Sequence, residues 1–456
     1  MANGRKLLQL LLKRRKVNLS PTRVIALVFA VIILTGTALL MLPMSSQSGK
    51  SCAFLDALFT ATSATCVTGL VPFDTGSHWS GFGQAVILCM IELGGLGFMS
   101  AASLFVFLLR RKVGLRQRMV MAQALSLNDM EGVVNLQKWV LGGSLSIQLA
   151  GALVLMLRFL PRFGWAKAAW YGVFHSVSGF CNAGFDIFGA GNSLLELNSD
   201  PVVLITLMVL ITVAGLGFFV WEELARVRRF RDFSVYTKLV LITTAVLILA
   251  GAILFMILEW NNAGTFGNMS AGDKVLNAFF QSVTLRTAGF AAVDQAALTP
   301  AGKGVSVILM LVGGSSGSTA GGLKTVTFIV LLLFIWTRAR GKNTVTAFRR
   351  TIPGEKVMDA MTIALIMIIL AVLGAVLICG TSPVGFTDAL FETVSALATV
   401  GVTAGVTSSL SVAARIMIIV FMYFGRVGVL TISLGFLMGD KAEDRFQYAN
   451  TNLLIG

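Results

Sequence analysis

Four short segments of this 456-residue chain each place a glycine ten residues after a phenylalanine. Glycine permits backbone orientations that a Cβ atom would obstruct, and rings of backbone carbonyl oxygens can replace the hydration shell of a cation. One such pair would mean little, but four copies predict four equivalent turns that together bind a dehydrated cation. The pairs are Phe59 and Gly69, Phe174 and Gly184, Phe279 and Gly289, and Phe391 and Gly401. The predicted cation-binding backbone comprises Thr65, Cys66, Val67, Thr68 and Gly69; Cys181, Asn182, Ala183 and Gly184; Arg286, Thr287, Ala288 and Gly289; and Ala398, Thr399, Val400 and Gly401.

A polar segment interrupts an apolar stretch shortly after the third turn. Five of its ten residues are glycine, and each glycine costs a helix about 1 kcal/mol relative to alanine. Polar, flexible backbone at membrane depth should face the conduction pathway. We therefore expect a non-helical loop that faces this pathway, with a merely kinked helix as the alternative. The segment consists of Gly313, Gly314, Ser315, Ser316, Gly317, Ser318, Thr319, Ala320, Gly321 and Gly322.

One arginine, Arg426, lies within the last apolar stretch. A charged side chain at the bilayer centre costs roughly 2.5–3.5 kcal/mol unless it is paired or hydrated. The repeat aligns Arg426 with Ser315, so we expect it below the turns, where it repels cations or holds the loop shut through hydrogen bonds to its backbone. An ion pair with Glu92 is the alternative.

Three carboxylates follow the glycines closely. Asp74 and Asp294 lie five residues after their glycines, and Asp186 lies two residues after its own. Acidic groups at the outer mouth of a pore raise the local cation concentration, although ordinary solvated loop carboxylates explain them equally well. Asp56 and Asp388 lie near the starts of short helices, where they favour the helix dipole.

The composition of the chain is that of a membrane protein, so membrane helices must position these turns. Hydrophobic residues make up 56% of the chain and charged residues 12%, against about 25% charged residues in an average soluble domain. Four half-length segments (54–70, 170–185, 275–290 and 386–402) are too short to cross a bilayer core of roughly 30 Å, so they must enter and return. We predict an all-α integral membrane protein with four membrane–pore helix–membrane repeats around a pseudo-fourfold ion pore. The full spans are expected at 22–42, 83–109, 138–159, 200–224, 238–259, 303–335, 357–379 and 411–437.

The net charge of +15 is distributed so that it orients the chain. Basic residues cluster before the first span and in the connections between repeats, and they concentrate on the cytoplasmic side of membranes. Both termini are therefore predicted to be cytoplasmic, and no nucleic-acid partner is expected. The predicted divisions are a basic N-terminus at 1–21, repeats at 22–110, 111–228, 229–340 and 341–437, and a C-terminal tail at 438–456.

Across essentially its whole length the chain resembles the Trk/Ktr/HKT superfamily of potassium transporters. The resemblance rests on SVSGFCNAGF at 176–185, LRTAGF at 285–290 and GGSSGSTAGGLK at 313–324, as well as on the four glycine turns. The single short basic segment before the first span is more similar to the KtrB membrane subunit than to TrkH.

This resemblance implies a fuller set of expectations. It implies potassium uptake across a bacterial cytoplasmic membrane, with Na⁺ as an activator or co-ion, and a homodimer whose subunits each have a pore. It also implies that the segment 313–322 is an intramembrane gating loop. It also implies a cytosolic ring of RCK-domain subunits, similar to KtrA or KtrC, that binds ATP or ADP; no organic cofactor is expected on this chain. In the family, serine at the first filter glycine accompanies sodium selectivity in some plant members, and Gly69 occupies that position here.

Two other functional classes remain to be weighed. A sodium-selective or sodium/potassium-coupled secondary transporter of the same fold is the alternative, since alternating-access proteins also contain broken helices. An enzyme would need a nucleophile and base or a set of metal ligands. The chain has two histidines and no such cluster, so we predict that it is not an enzyme.

Overall fold

The computed structural model describes residues 21–96, 133–189 and 193–428. The described chain is mostly helical, and its helices form four consecutive repeats of a membrane helix, a re-entrant pore helix and a second membrane helix. A small antiparallel hairpin, β1 (Thr346–Ala347) and β2 (Arg350–Thr351), connects the third repeat to the fourth. Apart from residue 21, the predicted terminal segments 1–21 and 438–456 lie outside the described residues.

The pore helices are the short members of the repeats. Three of them, α2 (Phe54–Thr65), α9 (Ala271–Thr284) and α13 (Phe386–Leu397), have 12 to 14 residues, or about 18–21 Å of helix, too little to cross the bilayer. The fourth continues from a membrane helix within α5 (Val133–Phe180), where Gly164 (φ 73°) makes the kink between them. In chain order the helices are α1 (Pro21–Leu40), α2 (Phe54–Thr65), α3 (Thr75–His78), α4 (Gly81–Gly95), α5 (Val133–Phe180), α6 (Pro201–Leu216), α7 (Phe218–Arg226), α8 (Val235–Glu259), α9 (Ala271–Thr284), α10 (Pro300–Leu311), α11 (Thr325–Ala339), α12 (Gly354–Thr381), α13 (Phe386–Leu397) and α14 (Val412–Val427).

The first and second membrane helices of each repeat differ. Within the described residues, the helices long and apolar enough to cross a membrane are α1, α5, α8 and α12, the first helix of each repeat. Two predicted second spans are not single helices. The span at 200–224 bends by 92° between α6 and α7, where Gly217 has φ 88°, and the span at 303–335 is interrupted between α10 and α11. The inner parts of the spans at 83–109 and 411–437 lie largely outside the described residues.

The second helices all begin in the same way. In each, a side-chain oxygen of the residue before the helix accepts a hydrogen bond from a backbone N–H of the first turn, which satisfies a donor that the helix itself cannot pair. The capping residues are Ser80, Asp200, Thr299 and Ser411. The shared cap shows that the four repeats are equivalent in local structure as well as in order.

The repeats close into a ring through their pore helices. Each pore-helix segment is hydrogen-bonded to the second helix of the preceding repeat, or to the residues just before that helix, and the last contact joins the fourth repeat to the first. The four contacts are Gln84 Oε1 to Trp170 Nε1 (2.9 Å), Asn198 O to Asn277 Nδ2 (2.8 Å), Lys303 Nζ to Asp388 Oδ1 (2.7 Å) and Arg415 Nη1 to Asp56 Oδ1 (2.8 Å). This cyclic pattern places the four pore helices around one pseudo-fourfold axis.

Candidate ion-binding site

The four predicted glycines meet at this axis. A Cβ atom placed on any of them would collide with the backbone of the next turn around the ring, so the turns are as close as backbone allows. The neighbours of these imagined Cβ atoms are Ala183 O for Gly69 (2.6 Å), Gly289 Cα for Gly184 (2.6 Å), Val400 O for Gly289 (2.6 Å) and Thr68 O for Gly401. The contacts therefore run from the first repeat to the fourth and back to the first.

The backbone of the turns has an unusual and repeated conformation. The residue two positions before each glycine has a left-handed φ: 57° at Val67, 59° at Asn182, 65° at Thr287 and 52° at Thr399. Three of these residues are β-branched, for which this conformation is a strained outlier. Each of the four glycines also has a positive φ. Residues of alternating handedness can turn successive carbonyl groups toward the same side, which suits a ring of inward-facing carbonyl oxygens.

A hydroxyl group from each pore helix fastens its turn. Ser63 Oγ accepts from the Gly69 N–H (3.0 Å), and Ser395 Oγ accepts from the Gly401 N–H (3.0 Å). These residues were not predicted from the sequence, although a hydroxyl recurs six positions before three of the glycines and five before the other. In three repeats the hydroxyl donates a hydrogen bond to the carbonyl oxygen of the residue that follows the glycine. These bonds are Ser178 Oγ to Phe185 O (2.7 Å), Thr284 Oγ1 to Phe290 O (2.6 Å) and Ser395 Oγ to Val402 O (2.7 Å).

The third turn is one residue shorter than the others. Five positions separate Thr284 from Gly289, against six from Ser63 to Gly69. In keeping with this offset, the fully buried phenylalanine of the third pore helix is Phe280, whereas the predicted Phe279 is half-buried. The constant ten-residue spacing is therefore wrong as a structural equivalence in this repeat.

Buried polar side chains also brace the turns from behind. Glu392 of α13 accepts hydrogen bonds from Thr403 Oγ1 (2.8 Å) and from Thr407 Oγ1. His175 of α5 accepts from the Ile187 N–H (3.4 Å). The role of Glu392 was not predicted from the sequence, because nothing in the neighbouring residues distinguishes a buried carboxylate from a solvated one.

A cavity of about 370 Å³ lies on one side of the glycine ring. Its lining includes a glycine from every turn and all three predicted carboxylates, Asp74, Asp186 and Asp294. The structure thus brings these side chains together at one end of the ring. Their role in attracting cations stays a prediction.

We expect transport to depend on external pH through Asp186. Burial, and secondarily the charge of Asp74, raises the pKa of Asp186 to about 7. Its carboxylate is therefore charged at pH 8 and largely neutral at pH 6, so the KM for the transported cation should rise roughly two- to fivefold as the medium is acidified. Uptake measured over this range should show the step in wild type and not in Asp186→Asn.

The matched control is Asp294→Asn, which removes a charge from the same cavity. It should raise KM at both pH values and keep the step between them. A step of unchanged size in Asp186→Asn would contradict the assignment.

The loop between α10 and α11 lies against the opposite side of the ring. A Cβ on Gly321 or Gly322 would lie 3.0 or 3.4 Å from the Ala398 carbonyl oxygen of the fourth turn. A Cβ on Gly313 would lie 3.3 Å from Thr287 Cγ2 of the third turn. The predicted loop residues therefore sit directly beneath two of the four turns, and their glycines permit this approach.

Arg426 fastens this loop to the first repeat. Its Nη1 donates to the Thr319 carbonyl oxygen, and its Nη2 donates to the carbonyl oxygens of Gly94 (2.5 Å) and Gly95 (2.9 Å). The alternative ion pair with Glu92 is wrong. The Glu92 carboxylate instead accepts from Gln148 Nε2 (3.1 Å).

The loop is also attached to the second repeat. The N–H of Phe218, just after the 92° bend, donates to the Gly317 carbonyl oxygen (2.9 Å). The Tyr236 hydroxyl of α8, in the third repeat itself, donates to the Ser316 carbonyl oxygen (2.9 Å). Contacts from the second and fourth repeats thus hold a segment that belongs to the third, and Arg426 links this segment to the first repeat.

Comparison with known proteins places this geometry in a family. Residues 9–445 match the family described as TrkH, cation transport protein. The chain is 40% identical to the potassium/sodium uptake protein NtpJ of Enterococcus hirae, over 97% of this chain and 99% of that protein. It is 38% identical to the Ktr system potassium uptake protein B of Bacillus subtilis, over 94% of this chain and 96% of that protein.

The fold matches a solved transporter. The crystal structure of the potassium transporter TrkH from Vibrio parahaemolyticus aligns with a TM-score of 0.72, covering 92% of this chain and 86% of that one at 17% identity. This match confirms the predicted all-α membrane fold with its four repeats, and the family match confirms the predicted ion transporter rather than an enzyme. This multi-pass membrane protein belongs to the TrkH family of cation transport proteins.

Proposed function

We propose that the protein takes up K⁺ across the cytoplasmic membrane through a selectivity filter made by its four glycine turns. The observation that carries this proposal is the closed ring of Gly69, Gly184, Gly289 and Gly401, each preceded by a left-handed residue. Such a ring can present carbonyl oxygens in place of an ion's hydration shell. The relatives in Bacillus subtilis and Enterococcus hirae are both named as potassium uptake proteins, which supports K⁺ as the ion.

The segment 313–322 then acts as the gate, with Arg426 as its latch. The loop lies directly beneath the third and fourth turns, and the guanidinium group of Arg426 joins it to Gly94 and Gly95. A cation leaving the filter inward would meet this loop and the positive charge of Arg426. Release of the loop is required for a continuous path.

The remaining parts of the proposal concern orientation and partners. The distribution of basic residues supports cytoplasmic termini. The name of the Ktr system protein B supports a membrane subunit that works with other components of a Ktr system. We propose that this partner is a cytosolic RCK-domain ring, similar to KtrA or KtrC, that binds ATP or ADP. A homodimer and promotion by Na⁺ complete the proposal, the latter supported by the potassium/sodium name of NtpJ.

Uptake of ⁸⁶Rb⁺ tests the function. Expression in bacteria that lack other potassium uptake systems should restore growth at low K⁺ and give Rb⁺ uptake that K⁺ inhibits. Adding Na⁺ should raise the rate without competing for the pathway. An expressed protein in the membrane that gives no Rb⁺ uptake under either condition would contradict the proposal.

Uptake measurements with ²²Na⁺ beside ⁸⁶Rb⁺ distinguish potassium uptake from the second candidate function. The name of NtpJ includes sodium, which favours a sodium-selective or sodium/potassium-coupled pathway as the alternative. In that case ²²Na⁺ would enter as fast as Rb⁺, or the two would enter in a fixed ratio.

A further inference from the structure

Arg286 occupies a position where the other three turns have small side chains. The equivalent residue three positions before the glycine is Cys66, Cys181 or Ala398 in the other repeats. The Arg286 side chain is buried nonetheless, with 7% of its surface exposed. Its backbone belongs to the third turn, where its N–H donates to the Val283 carbonyl oxygen (3.1 Å). The third repeat therefore places one long, positively charged side chain beside the filter, on one side of the axis.

The guanidinium group reaches both ends of the loop beneath the filter. Arg286 Nη2 donates to the Gly313 carbonyl oxygen (3.2 Å), at the start of the loop, and approaches Thr325 Oγ1 (3.4 Å), at the start of α11. Thr325 Oγ1 also donates to the same Gly313 oxygen (3.0 Å). One carbonyl oxygen thus joins the third turn, the beginning of the loop and the helix that follows it.

Further hydrogen bonds hold together the two ends of the loop, residues 313–314 and 323–325, which we call its neck. The Gly313 N–H donates to the Leu323 carbonyl oxygen (2.9 Å), and the Thr325 N–H donates to the Gly314 carbonyl oxygen (3.0 Å). A loop whose ends are fastened together in this way is an Ω-like loop, which can move as a unit about its neck. Among the ion pairs of the described residues none involves Arg286, and its Nη2 donates to oxygens of the neck.

Arg286 and Arg426 therefore hold different parts of the same loop. Arg426 contacts Thr319, near the loop's middle, from another repeat. Arg286 contacts the neck from the filter itself. If the loop moves as a gate, the contact at Thr319 must break for conduction, whereas the contact at Gly313 can persist because the neck need not move.

We propose that Arg286 is a positioning residue that keeps the neck of the loop in register with the third filter turn, so that the loop opens without disturbing ion selection. This inference rests on the proposed function. It predicts that the two arginines have separable effects: loss of Arg426 frees the loop and leaves selection intact, whereas loss of Arg286 disturbs the third turn and with it the selection of ions.

The test uses the full-length protein in proteoliposomes. Maximal ⁸⁶Rb⁺ flux and the ratio of Rb⁺ to Na⁺ flux are measured in the same preparations. Arg286→Gln should lower the Rb⁺/Na⁺ ratio at least fivefold. Thr325→Val removes a neck contact without touching the turn, and that contact is present whether the loop is closed or open. It should therefore keep both the flux and the ratio within twofold of wild type. Arg426→Ala should raise the maximal flux and keep the ratio within twofold of wild type.

A further variant keeps the test decisive if Arg286→Gln does not fold. Arg286→Lys retains the charge with a shorter reach and one ammonium group, and it should lower the ratio by a smaller factor. A wild-type ratio in every folded Arg286 variant, with a raised flux in Arg426→Ala, would overturn the inference and leave the gate standing. Wild-type flux in Arg426→Ala would instead overturn the proposed gate.

Discussion

Replacing Gly69 by serine should lower the discrimination between K⁺ and Na⁺ at least tenfold, which corresponds to about 1.4 kcal/mol. Gly69 has φ 98°, and a Cβ there would lie 2.6 Å from the Ala183 carbonyl oxygen. A side chain must therefore displace the second turn or change the backbone of the first. Either movement alters the spacing of the oxygens that replace ion hydration. Competition of Na⁺ with ⁸⁶Rb⁺ uptake measures the effect.

Gly304→Ser is the matched control for this substitution. Gly304 lies in α10, and a Cβ there would meet no heavy atom within 4 Å. Discrimination should stay at the wild-type level in this variant. If Gly69→Ser also leaves Na⁺ competition unaltered, the first turn does not line the filter.

Replacing Arg426 by alanine should raise the maximal flux several-fold without changing which ion is preferred. The substitution removes the bonds to Thr319, Gly94 and Gly95. Hydrogen bonds to a charged group contribute about 1.5–3 kcal/mol each, so their loss should raise the population of the open state roughly tenfold or more. The filter turns keep their own hydroxyl bonds, and selectivity should persist. Initial rates of ⁸⁶Rb⁺ uptake at saturating concentration measure the change.

A deletion variant and a control variant complete the test of the Arg426 prediction. Deletion of part of 313–322 should raise the maximal flux in the same way, because it removes the obstruction itself. Lys356→Ala, which removes an exposed cation near Asp359 (3.6 Å), should leave the rate unchanged. Unchanged maximal rates in both the Arg426 and the deletion variants would count against a gate at this place.

Much of the architecture could be predicted from the sequence because it depends on the lengths of the apolar segments. Half-length apolar segments cannot cross a bilayer, so the re-entrant pore helices followed directly from residue counts. Repetition then predicted the pseudo-fourfold axis that the glycine contacts confirm. The loop at 313–322 was visible because so many glycines disfavour a helix.

What could not be predicted depends on partners that are distant in the chain. Arg426 has a carboxylate, Glu92, in another span and an array of carbonyl oxygens closer by, and only three-dimensional packing decides between them. The side chain of Arg286 was missed for the same reason, since its oxygens belong to α11 and the loop. In the third pore helix the fully buried phenylalanine is Phe280 and not Phe279. Because Phe279 directly precedes it, the sequence still shows a ten-residue spacing to Gly289, and this spacing conceals that the turn is one residue shorter.

Anomalous diffraction from crystals of the protein grown with Tl⁺ or Rb⁺ tests the ion-binding ring most directly. The account predicts an anomalous peak on the pseudo-fourfold axis, within coordination distance of backbone oxygens from all four repeats at Gly69, Gly184, Gly289 and Gly401. Ions bound elsewhere in the protein, with no peak at that ring, would contradict it.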